Sequence, residues 1–207
     1  MALTKAPLFG LDASGTIAGA IVFSKWKGRN YVRRHAVPSN PKSGLQVGMR
    51  AGFKFVSQAY ATLSAGDVAL WKVIADKTAV TPLNAQMKAS QVNIRLGNGP
   101  IQDPVVGATT APTIVAGTSA TAAPKTLILA WAHPVTTPGD YFVSVWMSKT
   151  GTFTRSTATL IAVLPQALLT YTVRGLTTGQ QYFFEVAEGN ANGLIGTSSA
   201  EFSGTPT

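Results

Sequence analysis

Cysteine is absent from all 207 residues, which removes disulfides, thiolate metal sites and cysteine nucleophiles at once, and fits a chain assembled in a reducing cytoplasm. Histidine occurs only at His35 and His133, and acidic residues number eight. Neither histidine has a carboxylate or a second histidine at metal-ligand spacing, whereas tetrahedral zinc needs at least three protein ligands brought together. No metal and no cofactor is therefore expected. A Gly-x-Ser-x-Gly elbow and a phosphate-binding Gly-x-x-x-x-Gly-Lys-Ser/Thr loop are also missing, so the sequence nominates no catalytic residue. The expectation is a protein that is not an enzyme. Long apolar runs are missing too: Gly19, Ser24 and Lys25 break up the best candidate around Ile21 to Phe23, which leaves far fewer than the roughly 20 residues a membrane helix requires. The first 23 residues carry no cluster of positive charge, and no signal peptide is read there. A soluble chain with no membrane partner is the expectation.

What is present is an uneven charge. Residues 1–105 hold 13 Lys and Arg against 4 Asp and Glu, and residues 106–207 hold 4 of each, so the whole excess of +9 lies in the first half. Such asymmetry predicts two modules with different partners, the basic one facing something acidic. Composition shifts after Gly97, where Gly-Asn-Gly-Pro gives way to an Ala, Thr, Val and Pro stretch almost free of charge. This places a linker near residues 98–108 and two domains at 1–105 and 106–207.

Within the first domain, alternation from Ile21 to Trp26, a turn at Lys27-Gly28 and a second run from Arg29 to Arg33 predict a β-hairpin. After the prolines at 38 and 41 the period changes. Leu45, Met49, Phe53, Val56, Tyr60 and Leu63 then recur at three and four, one apolar stripe of a helix. Ser64 with Asp67 three residues on gives a capping pattern for a second helix carrying Val68, Trp71, Ile74 and Ala75. A third helix opens at Thr81-Pro82, sets Leu83, Met87 and Ile94 on one face, and stops at Gly97. The fold class expected for this half is an α+β module of hairpin plus helices.

From Thr126 the pattern turns to short strands: Leu127 to Trp131, Tyr141 to Met147, Leu168 to Val173 and Tyr182 to Val186, with Gly, Pro, Thr and Asn between. That spacing predicts an all-β sandwich. Leu127-Ile128-Leu129-Ala130-Trp131 and the run from Tyr171 through Gly175-Leu176 to Tyr182 resemble the second strand and the fifth-to-sixth strand corner of fibronectin type III domains. The resemblance covers about residues 109–207. Trp131, Leu176 and Tyr182 are then core residues: Trp131 between two sheets that lack a disulfide, Leu176 plugging the open end, and Tyr182 with a buried ring and a hydroxyl bonded to nearby backbone.

The segment that stands apart is Lys25-Trp26-Lys27-Gly28-Arg29-Asn30-Tyr31-Val32-Arg33-Arg34-His35, in which cations interleave with two aromatics. Strand alternation predicts Lys25 and Lys27 on one face and Trp26 on the other. Lys25, Trp26, Lys27, Arg29, Tyr31, Arg33 and Arg34 are the candidate protein-docking residues. An acidic protein surface is the leading partner, a solvated hairpin the plain alternative, and nucleic acid the third, since phosphates need charge and bases need stacking surfaces. Gly15-Thr16-Ile17-Ala18-Gly19, the run from Phe23 to Arg34, the stretch from Pro38 to Ser43, Gln46 and Arg50 also resemble uncharacterised proteins encoded by tailed bacteriophages and prophages among virion-assembly genes.

Together the two resemblances imply a bacteriophage virion structural protein. It would be made in the host cytoplasm and located in the virion as an accessory component of capsid or tail, docked to other virion proteins through its N-terminal module with the sandwich outward. A homo-oligomer on the particle would let many weak contacts act together. A nucleic-acid-binding protein using the Lys25 to Arg34 hairpin is the runner-up, and an adhesin-like module reading cell-surface carbohydrate is the third reading.

Overall fold

The computed structural model describes residues 2–3, 15–26, 29–36, 40, 42–104, 116–133 and 140–207, the side chains at positions 2, 3, 26 and 140 excepted. It divides the chain into two compact units, residues 1–41 and residues 42–207. The boundary expected near residue 105 is thereby corrected.

The first unit is a four-stranded antiparallel sheet in the order β1-β4-β3-β2, with β1(Ala2–Leu3), β2(Gly15–Ile17), β3(Ile21–Trp26) and β4(Arg29–Arg34). The expected hairpin is β3–β4, and it gains a neighbour on each side. Ala18 and Gly19 both have positive φ in the turn from β2 to β3, and the Ala20 N–H donates to the Ile17 carbonyl at 2.9 Å. Two left-handed residues in succession match the right-handed twist of the strands that they join, which is why a small residue and a glycine stand there.

The second unit begins with three helices, α1(Gly44–Ala59), α2(Ala65–Asp76) and α3(Pro82–Arg95), with a 3-10 turn at Tyr60–Thr62 after α1. Their starts follow local chemistry. Ser64 Oγ accepts from the Asp67 N–H at 3.1 Å and its hydroxyl donates to the Asp67 carboxylate at 2.8 Å, while Thr81 Oγ1 accepts from the Asn84 N–H ahead of Pro82 in the first turn. Gly97, at φ +87, ends α3.

The stripe read on α1 holds in part: Val56 is buried and Met49 and Leu63 pack against buried clusters. Leu45 and Phe53 are each 54% exposed, and the buried face is Gly48, Gly52, Phe55 and Val56. A methyl added to Gly44 would overlap the Ala158 carbonyl, one on Gly48 the Thr157 carbonyl, and one on Gly52 the Ile94 side chain. The docking face of α1 is thus largely bare backbone, which a count of apolar side chains does not see.

The sandwich pairs one sheet of β5(Ala116–Ala123), β6(Thr126–Ala132) and β9(Thr170–Arg174), in the order β5-β6-β9, with a second sheet in the order β11-β10-β7-β8. The second comprises β7(Asp140–Ser148), β8(Leu160–Pro165), β10(Tyr182–Asn190) and β11(Phe202–Gly204). Every pairing is antiparallel. The strand expected from Leu168 starts at Thr170, and Leu168 and Leu169 are exposed. Between the sheets lie Leu127, Leu129, Trp131, Val143, Val145, Val173, Leu176, Tyr182, Phe184 and Val186, all buried.

The second sheet is covered on both faces. Phe142, Trp146, Leu160, Val163 and Ala187 form a separate buried cluster with Phe55 and Val56 of α1 and Ile94 of α3. Phe55 meets Tyr141 edge-on at 5.1 Å between ring centroids and Phe142 at 6.2 Å. Full burial of each such side chain contributes about 1.5–3 kcal/mol, so this second cluster ties the helices to the sandwich in one unit. This is the physical reason for the boundary near residue 42.

Residues 98–103, expected to be linker, are a pinned strap. The Ile101 N–H donates to Ser90 Oγ, and the Ile101 carbonyl accepts from Gln86 Nε2, both at 3.0 Å. Trp71 Nε1–H donates to the Gln102 carbonyl, and the Gln102 and Asp103 N–H groups donate to the Ala191 carbonyl. Helix α2, helix α3 and the loop after β10 all hold it. Residues 105–108 of the expected linker lie outside the described residues.

Candidate docking surface

The β3–β4 hairpin carries the candidate residues, and its register decides which side chains share a face. Lys25 pairs with Asn30, position 26 with Arg29, Ser24 with Tyr31, Val22 with Arg33 and Ile21 with Arg34. Side chains alternate along a strand and cross-strand partners share a face. Arg29, Tyr31 and Arg33 therefore project from one face of the sheet, beside Ser24 and Val22. Lys25 and Arg34 project from the other, beside Ile21, Phe23 and Val32. Lys25 and position 26 fall on opposite faces, as strand alternation predicts, but both faces carry cations, and Tyr31 stands between two arginines. Lys27 and the Trp26 side chain lie outside the described residues.

Arg29, Arg33 and Arg34 are exposed and Tyr31 is half-buried. Among the described residues no carboxylate stands within ion-pairing distance of Arg29, Arg33 or Arg34. Residues 1–41 contain six Lys and Arg and one acidic residue, a net excess of positive charge. His35 continues the β4 side, its N–H donating to the Ala20 carbonyl at 2.7 Å.

The sandwich residues fall into the core. Trp131, Leu176 and Tyr182 are 4%, 7% and 2% exposed. The Tyr182 hydroxyl accepts from the Thr177 N–H at 3.1 Å, closing the corner between β9 and β10. That bond favours the phenolate and draws the hydroxyl below its ordinary pKa.

One pairing was missed in the sequence reading. His133 Nδ1 contacts the Glu188 carboxylate, which is fully buried, and His133 Nε2 lies 2.8 Å from the Gln166 carbonyl. A carbonyl only accepts, so in that contact Nε2 is the donor. The pair joins the residue that follows β6 in one sheet to β10 in the other. The period of two from Tyr182 through Phe184 and Val186 puts Glu188 on the inward face, and that alternation was the available signal. Among the described residues no three His, Asp or Glu side chains gather as metal ligands.

No family model and no curated protein matches the chain. Solved structures are similar over about half of it. The chicken CNTN1 FN1-FN3 domains are 12% identical, cover 46% of this chain and 32% of their own, and superpose with a TM-score of 0.40. The sixth fibronectin type III domain of human fibronectin type III domain containing protein 3 is 15% identical, covers 49% and 92%, and gives 0.39. A beta-1,2-glucanase from Parabacteroides distasonis is 18% identical over 50% of this chain and 13% of its own length, also at 0.39. This chain thus spans a third or less of the CNTN1 fragment and of the glucanase. The strand orders β5-β6-β9 and β11-β10-β7-β8, with the Tyr182 corner, give the C-terminal half a fibronectin type III-like topology.

Proposed function

We propose that the chain is a structural component of a tailed-bacteriophage particle, an accessory protein of capsid or tail that docks through its basic N-terminal sheet and carries the sandwich outward. It performs no reaction. What carries the reading is the separation of residues 1–41 as a unit of their own, with arginines on both faces of the β3–β4 hairpin and a single acidic residue to balance six cations. A small cationic sheet with a tyrosine between arginines suits a partner that is acidic and partly apolar, because buried aromatics dominate interface energy and flanking charges speed association.

Arg29, Tyr31 and Arg33 on one face also suit a polynucleotide, the second reading. One comparison separates the two. If the partner is a virion protein, mass spectrometry of purified particles finds the chain, and Tyr31→Ala or Trp26→Ala removes it from particles. If the partner is nucleic acid, binding falls steeply with salt, in proportion to the phosphates neutralised, and Arg29→Ala with Arg33→Ala flattens that slope. Absence of the chain from particles, together with tight salt-sensitive binding to a polynucleotide, overturns the proposal.

A further inference from the structure

Helices α2 and α3 leave an open groove of about 560 Å³ along their outer side. Ile74, Thr78 and Val80 form one wall, Ala85, Ala89 and Val92 the other, and Ile101 of the strap lies at the base. Three of these apolar side chains stay well exposed: Ile74 at 37%, Val80 at 43% and Val92 at 51%. Contiguous apolar surface of this kind, rimmed by charge, marks a contact site more often than scattered single residues do. The wall from Asn84 to Asn93 is ten residues of helix, about 14 Å or two and a half turns from first to last. That length accommodates apolar anchors spaced three and four apart on a docking helix.

The charged side chain that lines the groove is a cation, Lys88. From Lys77 to Gln102 the chain carries Lys77, Lys88 and Arg95 and no acidic residue. Lys88 lines the groove, and Val92 and Arg95 follow it at i+4 and i+7, on the same side of α3. Lys77 follows Ile74 by three on the opposite wall. All three cations are exposed, and among the described residues none has a carboxylate within ion-pairing distance. The acidic residues of α2 do not offset them: Asp67 is engaged by Ser64 and Gln102, and Asp76 sits about 200° around the helix from Ile74.

We infer that the α2–α3 groove docks an amphipathic helix of another protein, with an apolar stripe for Ile74, Val80 and Val92 and acidic residues for Lys77, Lys88 and Arg95. A second copy presenting this same face would bring like charges together, and a bilayer does not fill a groove between two helices. The inference is independent of where the basic sheet binds.

The test uses the full chain and two synthetic helical peptides of about 14 residues, identical in a leucine stripe, one with glutamates and one with lysines at its polar positions. Fluorescence anisotropy is expected to show saturable binding of the glutamate peptide and none of the lysine peptide. Val92→Glu and Lys88→Glu should each weaken binding at least tenfold, while Lys149→Glu, the same charge change on an exposed turn of the sandwich, leaves it unaltered. Equal binding of both peptides, no binding of the glutamate peptide, or indifference to Val92→Glu overturns the inference. So does a concentration-dependent dimer, seen in sedimentation, that Val92→Glu abolishes, or binding to phosphatidylserine vesicles that Val92→Glu abolishes.

Discussion

Tyr141 shows how a single residue couples the helices to the sandwich and what that costs. Its ring packs against Phe55 and Phe142, and its hydroxyl is buried without a hydrogen-bond partner among the described residues. Burial, reinforced by the nearby charge of Asp67, pushes its pKa up to about 12 from 10. The folded state therefore keeps a proton that the unfolded chain releases. Stability from this group is complete below pH 10 and is lost as pH rises through about 12. Tyr141→Phe should remove that loss, so the stability difference between variant and parent grows in the variant's favour from pH 9 to 12. At neutral pH the variant should gain up to about 1 kcal/mol, because a buried hydroxyl without a partner is costly. Urea titrations across that pH range check both, and a difference that does not change with pH rejects a raised Tyr141 pKa as the cause. The sequence marked Tyr141 only as a strand residue, since the carboxylate that acts on it is 74 positions away and on another element.

At the scale of elements, the parts set by local rules were legible and the parts set by contact were not. Caps at Ser64 and Thr81, the stop at Gly97, the pairing of β3 with β4 and the Tyr182 corner each depend on residues close in sequence, and each stands where those residues put it. The docking face of α1 depends on what lies opposite: apolar periodicity found Val56 but also pointed to the exposed Leu45 and Phe53, and it passed over the buried Gly48 and Gly52. A Gly-x-x-x-Gly-x-x-x-Gly spacing at Gly44, Gly48 and Gly52 was the signal, meaningful only once a partner backbone is in view. Gly48→Ala tests this. On an exposed helix that change adds about 1 kcal/mol of stability through propensity. In α1 the new methyl meets the Thr157 carbonyl, at a residue whose own hydroxyl is bonded to the Ile94 carbonyl at 2.9 Å. The expected result is a net loss of about 1–3 kcal/mol, read from chemical denaturation. A stabilised variant would mean that α1 is free to move away from the sandwich.

For the whole molecule, the question is where an independently folding piece begins. Composition and charge placed the border near residue 105, because the helical half is basic and the β half balanced. Charge reports on surfaces, however, and the border is decided by the core. Phe142, Trp146, Leu160 and Val163 face away from the interior of the sandwich and are only 0%, 3%, 4% and 7% exposed, in a cluster that Phe55 and Val56 of α1 and Ile94 of α3 complete, beside Gly99 of the strap at Phe142 and Arg155 over the Trp146 ring. A fragment of residues 106–207 would expose all four, losing about 1.5–3 kcal/mol for each, a sum comparable to the whole stability of a small domain. A fragment of residues 42–207 keeps the helices, the strap and the glycine contacts. It should unfold in one cooperative step with a midpoint near that of the full chain, while residues 106–207 alone should unfold at a markedly lower urea concentration, bind a hydrophobic dye and associate. Circular dichroism melts and dye fluorescence on the two fragments decide it. Equal midpoints and no dye binding would show that the sandwich completes its own core and that the helices merely rest on it.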